Sequence, residues 1–472
     1  MRVTSQQQID LLLGSIQRTQ SNLARVQEML ASGKKVNRPS DDGRAFEEIV
    51  NLQTLLQKID KRLLSINEGV NRLNTTEGAV SSADSIIQRV KEIALQEVNA
   101  TSSPAERKAV AVEVQQLLLS LIDAANSKVN ARYLFSGYET QTAPYTLATV
   151  TSSALPPAIS ADPDNQGTTS STVAIQTASS LTGNEYKITF TSATTFDVKN
   201  QTTGATVLSS QTYASGGNID FDGLRVVLTN NPSGPLSGDE FTITAHNSTD
   251  ATVSASVSTQ SALQPVLYEL RFTSTTQFDI VDLTNNQVLS TGNSYTTGAD
   301  IIFAGITVVI TDGTVSPQVG DVFRARPGYS YQGDTGTIAI EVEDGKTVPI
   351  NSVGSKVFSG PDVDLFTVIQ DLHQALVTNT PADLTAVISS LDTGIDQIVE
   401  AQADIGARVN RLDRFEDALE LLSLNTQDRR STLEDVDFAK VSSELLALET
   451  NLTASLLVLN RQFQIGLLEF LR

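Results

Sequence analysis

The sequence predicts an α+β, multidomain chain. Long N- and C-terminal helices pair as a coiled coil or bundle, and a β-rich region inserted between them contains two repeated antiparallel β-domains. Three observations predict this class. Apolar residues recur at alternating steps of three and four near both ends of the 472-residue chain. The middle, roughly residues 141 to 360, is rich in Thr, Ser, Gly, Val and Asn and alternates with period two. One strand-like block occurs twice, 82 residues apart.

The first helical segment carries Ile9, Leu12, Ile16, Leu23, Val26 and Leu30 on a heptad seam in which Thr19 takes one position. It stops at "ASGKKVNRPSDDGRAF", residues 31 to 46. Gly33 is placed to end the helix in a left-handed conformation, with Lys34 and Lys35 facing its negative end. Pro39 takes Arg38 out of helical geometry. Ser40, Asp41 and Asp42 offer oxygens to the free amides of the next helix. Capping leaves Asn37 and Arg38 unexplained and available for specific contacts.

The next helix carries Ile49, Leu52, Leu56, Ile59, Leu63, Ile66, Val70 and Leu73, spaced 3, 4, 3, 4, 3, 4, 3. Helical periodicity returns from about Pro361. Leu384, Ile388, Leu391, Ile395, Ile398, Ile405, Val409, Leu412 and Leu419 keep the same spacing, interrupted at Gln402 and Glu416. Two long seams in one chain invite each other as partners. At the end, Val441, Leu445, Leu448, Leu452, Leu456, Leu459 and Phe463 follow a similar pattern, continuing loosely to Phe470. Apolar content per length is lower in the two tails. They are expected to order when neighbouring subunits supply partners.

In the middle, "YKITFTSATTFDV" from Tyr186 is matched by "YELRFTSTTQFDI" from Tyr268. The register continues through Phe221 and Phe303, Gly223 and Gly305, and the "GDEF" at Gly238 with the "GDVF" at Gly320. The expected domains are 1–43 paired with 432–472, a helical body of 44–140 with 329–431 carrying a short β segment, a first outer β-domain at 141–262 and a second at 263–328.

Composition narrows the functional classes. The chain has no cysteine, no tryptophan and two histidines, which excludes disulfide scaffolds, thiol nucleophiles and Cys/His zinc sites. A formal charge of −21 repels nucleic acid phosphates and anionic lipid, so no nucleic-acid partner is expected. No apolar run is long enough to span a bilayer, so no membrane insertion is expected. The apolar patch near the N-terminus is too short for a cleaved secretory signal.

Enzyme constellations are not assembled by this sequence. His246 reads as a strand-end surface residue and His373 as an exposed or packed helix residue. "SGKKV" lacks the glycine of a phosphate-binding loop, since Glu28 stands five residues before Gly33. Carboxylate pairs such as Asp41 with Asp42 or Asp435 with Asp437 suit helix caps and solvated surface. No cofactor or metal is expected.

"LASGKKVNRPSDDGRA" from Leu30 resembles the flagellin superfamily, and its NRPSDD form resembles the hook–filament junction members of that family. Three more segments agree: "NARYLFSGYETQTAPY" from Asn130, "YSYQGDTGTIAIEVEDGKTVPINSVGSKVF" from Tyr329, and "NRLDRFEDALELLSLNTQDRRSTLEDVDFAKVSSEL" from Asn410. The resemblance implies a structural protein, exported through the flagellar type III apparatus to the outside of the cell without a cleaved signal. Its terminal helices would line a tubular polymer while the insertion points outward. Implied partners are further copies of the chain in a ring or helical layer, flagellin, a hook-side junction protein, and an export chaperone at the C-terminal helix. The duplicated insertion departs from shorter members with a single outer domain.

Together with the seams, the resemblance marks Ile9, Ile16, Leu23, Leu30, Asn37, Arg38, Asp41, Asp42, Asn410, Arg411, Leu445, Leu452, Leu459 and Phe470 as candidate assembly residues. Rival readings are a flagellin-like filament subunit and an extracellular adhesin that binds glycans through the β repeats, where Tyr213 and Tyr295 recur. An acidic-residue hydrolase is a third.

Overall fold

The computed structural model describes residues 5–99, 102–155, 157–162, 164–177, 180–181, 184–245, 251–313, 315–378 and 381–470. Two helices open the chain, α1 (Ser5–Ser32) and α2 (Gly43–Asn99), followed by α3 (Pro104–Ala125). A Ser103–Glu106 capping box starts α3: the Glu106 amide donates to Ser103 Oγ at 3.3 Å and the Ser103 amide to Glu106 Oε2 at 2.8 Å. A two-strand hairpin, β1 (Lys128–Val129) and β2 (Arg132–Tyr133), leads to β3 (Tyr145–Ala154).

Eight strands then form one outer unit: β4 (Ala158–Ala161), β5 (Thr169–Ile175), β6 (Glu185–Ser192), β7 (Thr195–Asn200), β8 (Thr206–Thr212), β9 (Asn218–Phe221), β10 (Leu224–Asn230) and β11 (Glu240–Thr244). A second series follows as β12 (Thr252–Val257), β13 (Tyr268–Ser274), β14 (Gln277–Asp282), β15 (Gln287–Ser294), β16 (Asp300–Phe303), β17 (Ile306–Thr311) and β18 (Val322–Tyr331). The chain returns through β19 (Ala339–Glu343), β20 (Lys346–Pro349), α4 (Gly354–Val357) and α5 (Leu365–Val377) to the long helices α6 (Pro381–Glu434) and α7 (Phe438–Phe470). By contact density the chain divides into a terminal unit, residues 1–71, 340–348 and 409–472, and a central unit, residues 72–339 and 349–408.

Each repeat is a two-layer sandwich. In the first, a five-stranded sheet ordered β4-β11-β6-β7-β8 faces β5-β10-β9; in the second, β15-β14-β13-β18-β3 faces β12-β17-β16. Period-two alternation buries Tyr186, Ile188 and Phe190 on β6, and Tyr268, Leu270 and Phe272 on β13. The strand partners differ from the expected boundary at 262/263. β3 pairs with β18 and β12 with β17, so residues 145–154 and 252–257 complete the second sandwich. The first sandwich is therefore inserted into the second, between its edge strand and the rest. An 82-residue offset reveals contiguous strands, and it is blind to one supplied from across an insertion.

The repeated tyrosines are packing residues. Tyr213 and Tyr295 stand edge-on to Phe190 and Phe272, with ring centroids 5.2 and 4.9 Å apart. Tyr295 donates to the carboxylate of Asp312, and Tyr213 to Asn230 Oδ1 at 2.7 Å.

Edge strands β8 and β15 are both bulged, and the bulge is clamped the same way. The Ser210 amide donates to Asp197 Oδ1 at 2.6 Å and the Gly292 amide to Asp279 Oδ1 at 2.8 Å. Such kinks block strand addition at an open edge.

At the base of the insertion the outgoing and returning strands meet in an aromatic cluster. Tyr145 lies 4.5 Å from Phe366 and 5.4 Å from Tyr331, and Phe135 lies 5.0 Å from Phe358, between ring centroids. The Tyr331 hydroxyl is 2.8 Å from the carbonyl oxygens of both Phe135 and Asp334. Asp334 Oδ1 accepts the amides of Tyr138 and Gly336 at 2.7 and 2.8 Å. Gly137, at φ +67°, passes so close that an added Cβ would fall 1.9 Å from that carboxylate.

His373 is packed rather than exposed. It is 5% exposed on α5, and burial, reinforced by the Arg326 charge and opposed by Asp282, pushes its imidazole down to about 4. The other histidine, His246, lies outside the described residues.

Two predictions follow from this packing. Between pH 6.5 and 4 the unfolded chain binds a proton at His373 that the folded chain refuses, so folded stability falls as pH drops through that window, by up to about 3 kcal/mol. His373→Gln should flatten that part of a pH series of urea melts. The β16–β17 turn places Ala304 at φ +44° before Gly305 at φ +80°. Ala304→Gly should stabilise the second sandwich by roughly 1 kcal/mol, read as a higher denaturation midpoint.

Candidate assembly interface

Both long helical segments of the terminal unit break at one level. Gly33 ends α1 at φ +71°, its amide donating to Met29 O at 2.9 Å. Immediately after it, the Lys35 amide donates to Glu434 O at 2.7 Å and the Val436 amide to Gly33 O at 3.0 Å. Lys34 and Asp435 form an antiparallel bridge between the two breaks. The α1–α2 loop is thereby bonded to the α6–α7 loop by backbone, independent of side-chain identity.

Charges complete the joint, with a difference from the sequence expectation. Lys34 and Lys35 serve the end of α6 rather than of α1: Lys35 Nζ donates to Thr432 O at 2.6 Å and Lys34 pairs with Glu434, which also takes Arg430 at 3.4 Å. Glu434 is 5% exposed, so these cations neutralise a buried carboxylate. Val36 is buried beside it.

Asp41 and Asp42 also divide their roles. Asp42 alone caps α2, accepting the amides of Arg44 and Ala45 at 3.1 Å. Asp41 turns back and accepts the amides of Asn37 and Arg38, both at 2.9 Å. Those amides, with the Arg38 and Arg25 charges, hold its carboxyl below the usual carboxylate range. Across the joint Asp437 caps α7 through the amides of Ala439 and Lys440 at 3.0 and 3.1 Å.

Asn37 and Arg38 spend their side chains internally. Asn37 Nδ2 donates to Ser32 Oγ at 2.9 Å, and Arg38 pairs with Glu28 at 2.6 Å. Asn410 and Arg411 are exposed on α6; Asn410 O accepts Arg414 Nε at 3.0 Å, and the Arg411 guanidinium lies 5.8 Å from the Phe415 ring centroid.

From the joint, α1 and α7 run antiparallel and pack on each other. Leu12, Ile16, Thr19, Leu23, Val26 and Leu30 form the inner stripe of α1, with Ile16 and Val26 buried and the others half-buried. On α7 the inner stripe is Val441, Leu445, Leu448, Leu452, Ser455 and Leu459. This corrects the sequence register by one residue: Ser455 holds the seam position and Leu456 points out. The α1 side chain of Ile9 and the α7 side chain of Phe470 lie outside the described residues.

The outward faces are unexpectedly apolar. Leu446 and Leu457 of α7 are 65% and 66% exposed, with Leu456 and Val458 beside them; Leu11 and Leu13 of α1 are exposed on the antiparallel partner. α6 shows the same displacement. Its seam residues Ser423 and Thr426 are buried while Leu421, Leu422 and Leu424 face out. Polar groups thus occupy the covered stripe where leucines were available, and the leucines are left for another surface. The signal was present in the sequence as "SLLVLN" and "LELLSLN", where apolar residues run past one helical face.

The joint makes a quantitative expectation. Asp42→Ala should cost about 1 kcal/mol as a lost N-cap. Gly33→Ala should cost roughly 1–2 kcal/mol from the left-handed backbone alone, since an added Cβ would meet nothing closer than Phe438 at 3.7 Å. Both are read by chemical denaturation of the purified chain, and equal stability to the parent would contradict the assigned caps.

Residues 5–140 match the bacterial flagellin N-terminal helical region and residues 388–471 the bacterial flagellin C-terminal helical region. Flagellin of Salmonella rubislaw is 25% identical over 479 residues, covering 92% of each chain. Flagellar hook-associated protein 3 of Salmonella typhimurium is 29% identical over 150 residues, 32% of this chain and 47% of that one. A solved structure of flagellar hook-associated protein-3 from Legionella pneumophila, 18% identical, covers 82% of this chain and 98% of its own with a TM-score of 0.34. At its two ends, on the very helices that pair at the joint, the chain carries the N- and C-terminal helical regions of bacterial flagellin.

Proposed function

We propose that this chain forms the junction layer between hook-side proteins and the flagellin filament, polymerising through the outward faces of its terminal helices. One observation carries the reading: α1, α6 and α7 bury a polar-interrupted seam and expose leucines on the opposite side. That arrangement is costly for an isolated subunit and satisfied by neighbours. Support for a junction role comes from the NRPSDD form of residues 37–42 and from the similarity to hook-associated protein 3. The 92% coverage shared with a flagellin favours a filament subunit as the second reading, and copy number per filament distinguishes them.

The adhesin reading is disfavoured by Tyr213 and Tyr295, which pack against Phe190 and Phe272. A non-catalytic role is inferred, consistent with a packed, neutral His373. Flagellin and a hook-side protein are the proposed neighbours along the axis, and an export chaperone is the proposed transient cover for the apolar ring at 456–458. Export to the flagellum would be in an unfolded state.

Leu452 lies on the inner seam, so changing it would disturb the intramolecular pair as well as any assembly. Leu457 separates the two. Leu457→Asp should leave helicity and melting of the soluble chain unchanged yet abolish incorporation, because the charge is buried only in the assembled state. Cells lacking the gene should carry hooks without filaments and release flagellin to the medium. Normal filaments built with Leu457→Asp would overturn the proposed interface.

A further inference from the structure

In the second sandwich, where α5 packs beside β3 and β18, a polar cavity of about 210 Å³ is bounded by residues 151–153, Arg324, Arg326 and Asp371. Arg324 and Arg326 alternate along β18 and so share a face. Arg324 is engaged by the buried carboxylate of Glu269, at 3.3 Å, which Arg271 also holds at 2.7 Å. Arg326 is engaged through one nitrogen: Nη2 donates to Asp371 Oδ1 at 2.8 Å. Its Nε and Nη1 are buried and make no hydrogen bond among the described residues.

A guanidinium offers five N–H donors, and native interiors seldom leave such donors without an acceptor. The acceptor has to be small. At about 30 Å³ per water the cavity has room for roughly seven waters, short of the ~300 Å³ at which organic-ligand pockets begin. The site is peculiar to one repeat. In the first sandwich the corresponding register positions are Thr242 and Thr244, while in the second, β3 and α5 bring hydroxyls and a carboxylate to the rim.

We propose that this cavity binds one small oxyanion, with the Arg326 guanidinium as its fork and the Ser153 hydroxyl as a further donor, since Thr151 and Ser152 already donate to the carbonyl oxygens of Arg326 and Val253. Planar, delocalised guanidinium matches the paired oxygens of phosphate, sulfate or carboxylate. Asp371 competes with the anion for the same guanidinium and limits its affinity.

The test uses the full-length soluble chain at matched ionic strength, titrated with inorganic phosphate, sulfate, acetate or chloride and followed by calorimetry and thermal shift. Saturable binding of an oxyanion and not of chloride is expected. Arg326→Gln should weaken it roughly tenfold or more, the scale of a charge-assisted hydrogen bond. Asp371→Asn should tighten it by about threefold, because a competing charge is removed while the side chain's shape is kept. Preference for phosphate or sulfate identifies a free tetrahedral anion as the source; preference for acetate identifies a protein carboxylate. Non-saturating titrations, or chloride acting equally, mean that water fills the cavity and overturn the proposal. So does an Asp371→Asn chain that binds no better than the parent, an outcome readable even if Arg326→Gln fails to fold.

Discussion

A helix packed along a heptad seam covers one stripe of its surface and leaves the rest to solvent or to a neighbour. In α1 and α7 the covered stripe is thin, with Ile16, Val26 and Val441 buried and the remaining seam residues half-buried. The uncovered surface carries leucines. This one-sided burial sets the organisation of the terminal unit: a pair sufficient to define register, and a second apolar face with no intramolecular cover among the described residues. Burial of such a face by a second copy is a gain that only assembly realises.

The joint makes that pairing directional. Backbone bonds between residues 33–35 and 434–436 align the ends of α1 and α7, so the pair starts in register whatever its side chains do further along. Helix caps at Asp42 and Asp437 then restart both helices on the same level. Breaking two helices together converts what would be two continuous rods into a hinge-level bracket with fixed exits. The buried Glu434, neutralised by Lys34 and Arg430, makes the bracket dependent on charge pairing as well as on backbone.

The insertion shows a complementary restraint. Each sandwich closes its own core, with Phe190 and Phe272 at matched positions, and each kinks one edge of its five-stranded sheet with a clamped bulge. Those two edges do not offer a template for strand addition. The aromatic base at Tyr145, Tyr331, Phe358 and Phe366 ties the outgoing and returning strands, so the duplicated insertion can vary without loosening its root.

Hydrophobic period, composition and self-similarity determined the helical ends, the β-rich middle and the duplication, because each is a pattern that a one-dimensional sequence records. The heptads at 49–73 and 384–419 reappear as covered stripes in which Leu63, Val70, Ile388, Ile395 and Val409 are only half-buried, Val387 and Gly394 being buried beside two of them, and the alternation at Tyr186 and Tyr268 reappears as buried strand faces. Three things were decided only in three dimensions. Ser455 rather than Leu456 faces α1, since register is set by the joint and not by local hydrophobicity. The lysines of the loop reach the end of α6, a helix nearly 400 positions away, because the backbone bridge delivers it there. β3 completes the second sandwich from across the first, since sheet edges select partners by geometry, and chain order places no bound on which strand arrives.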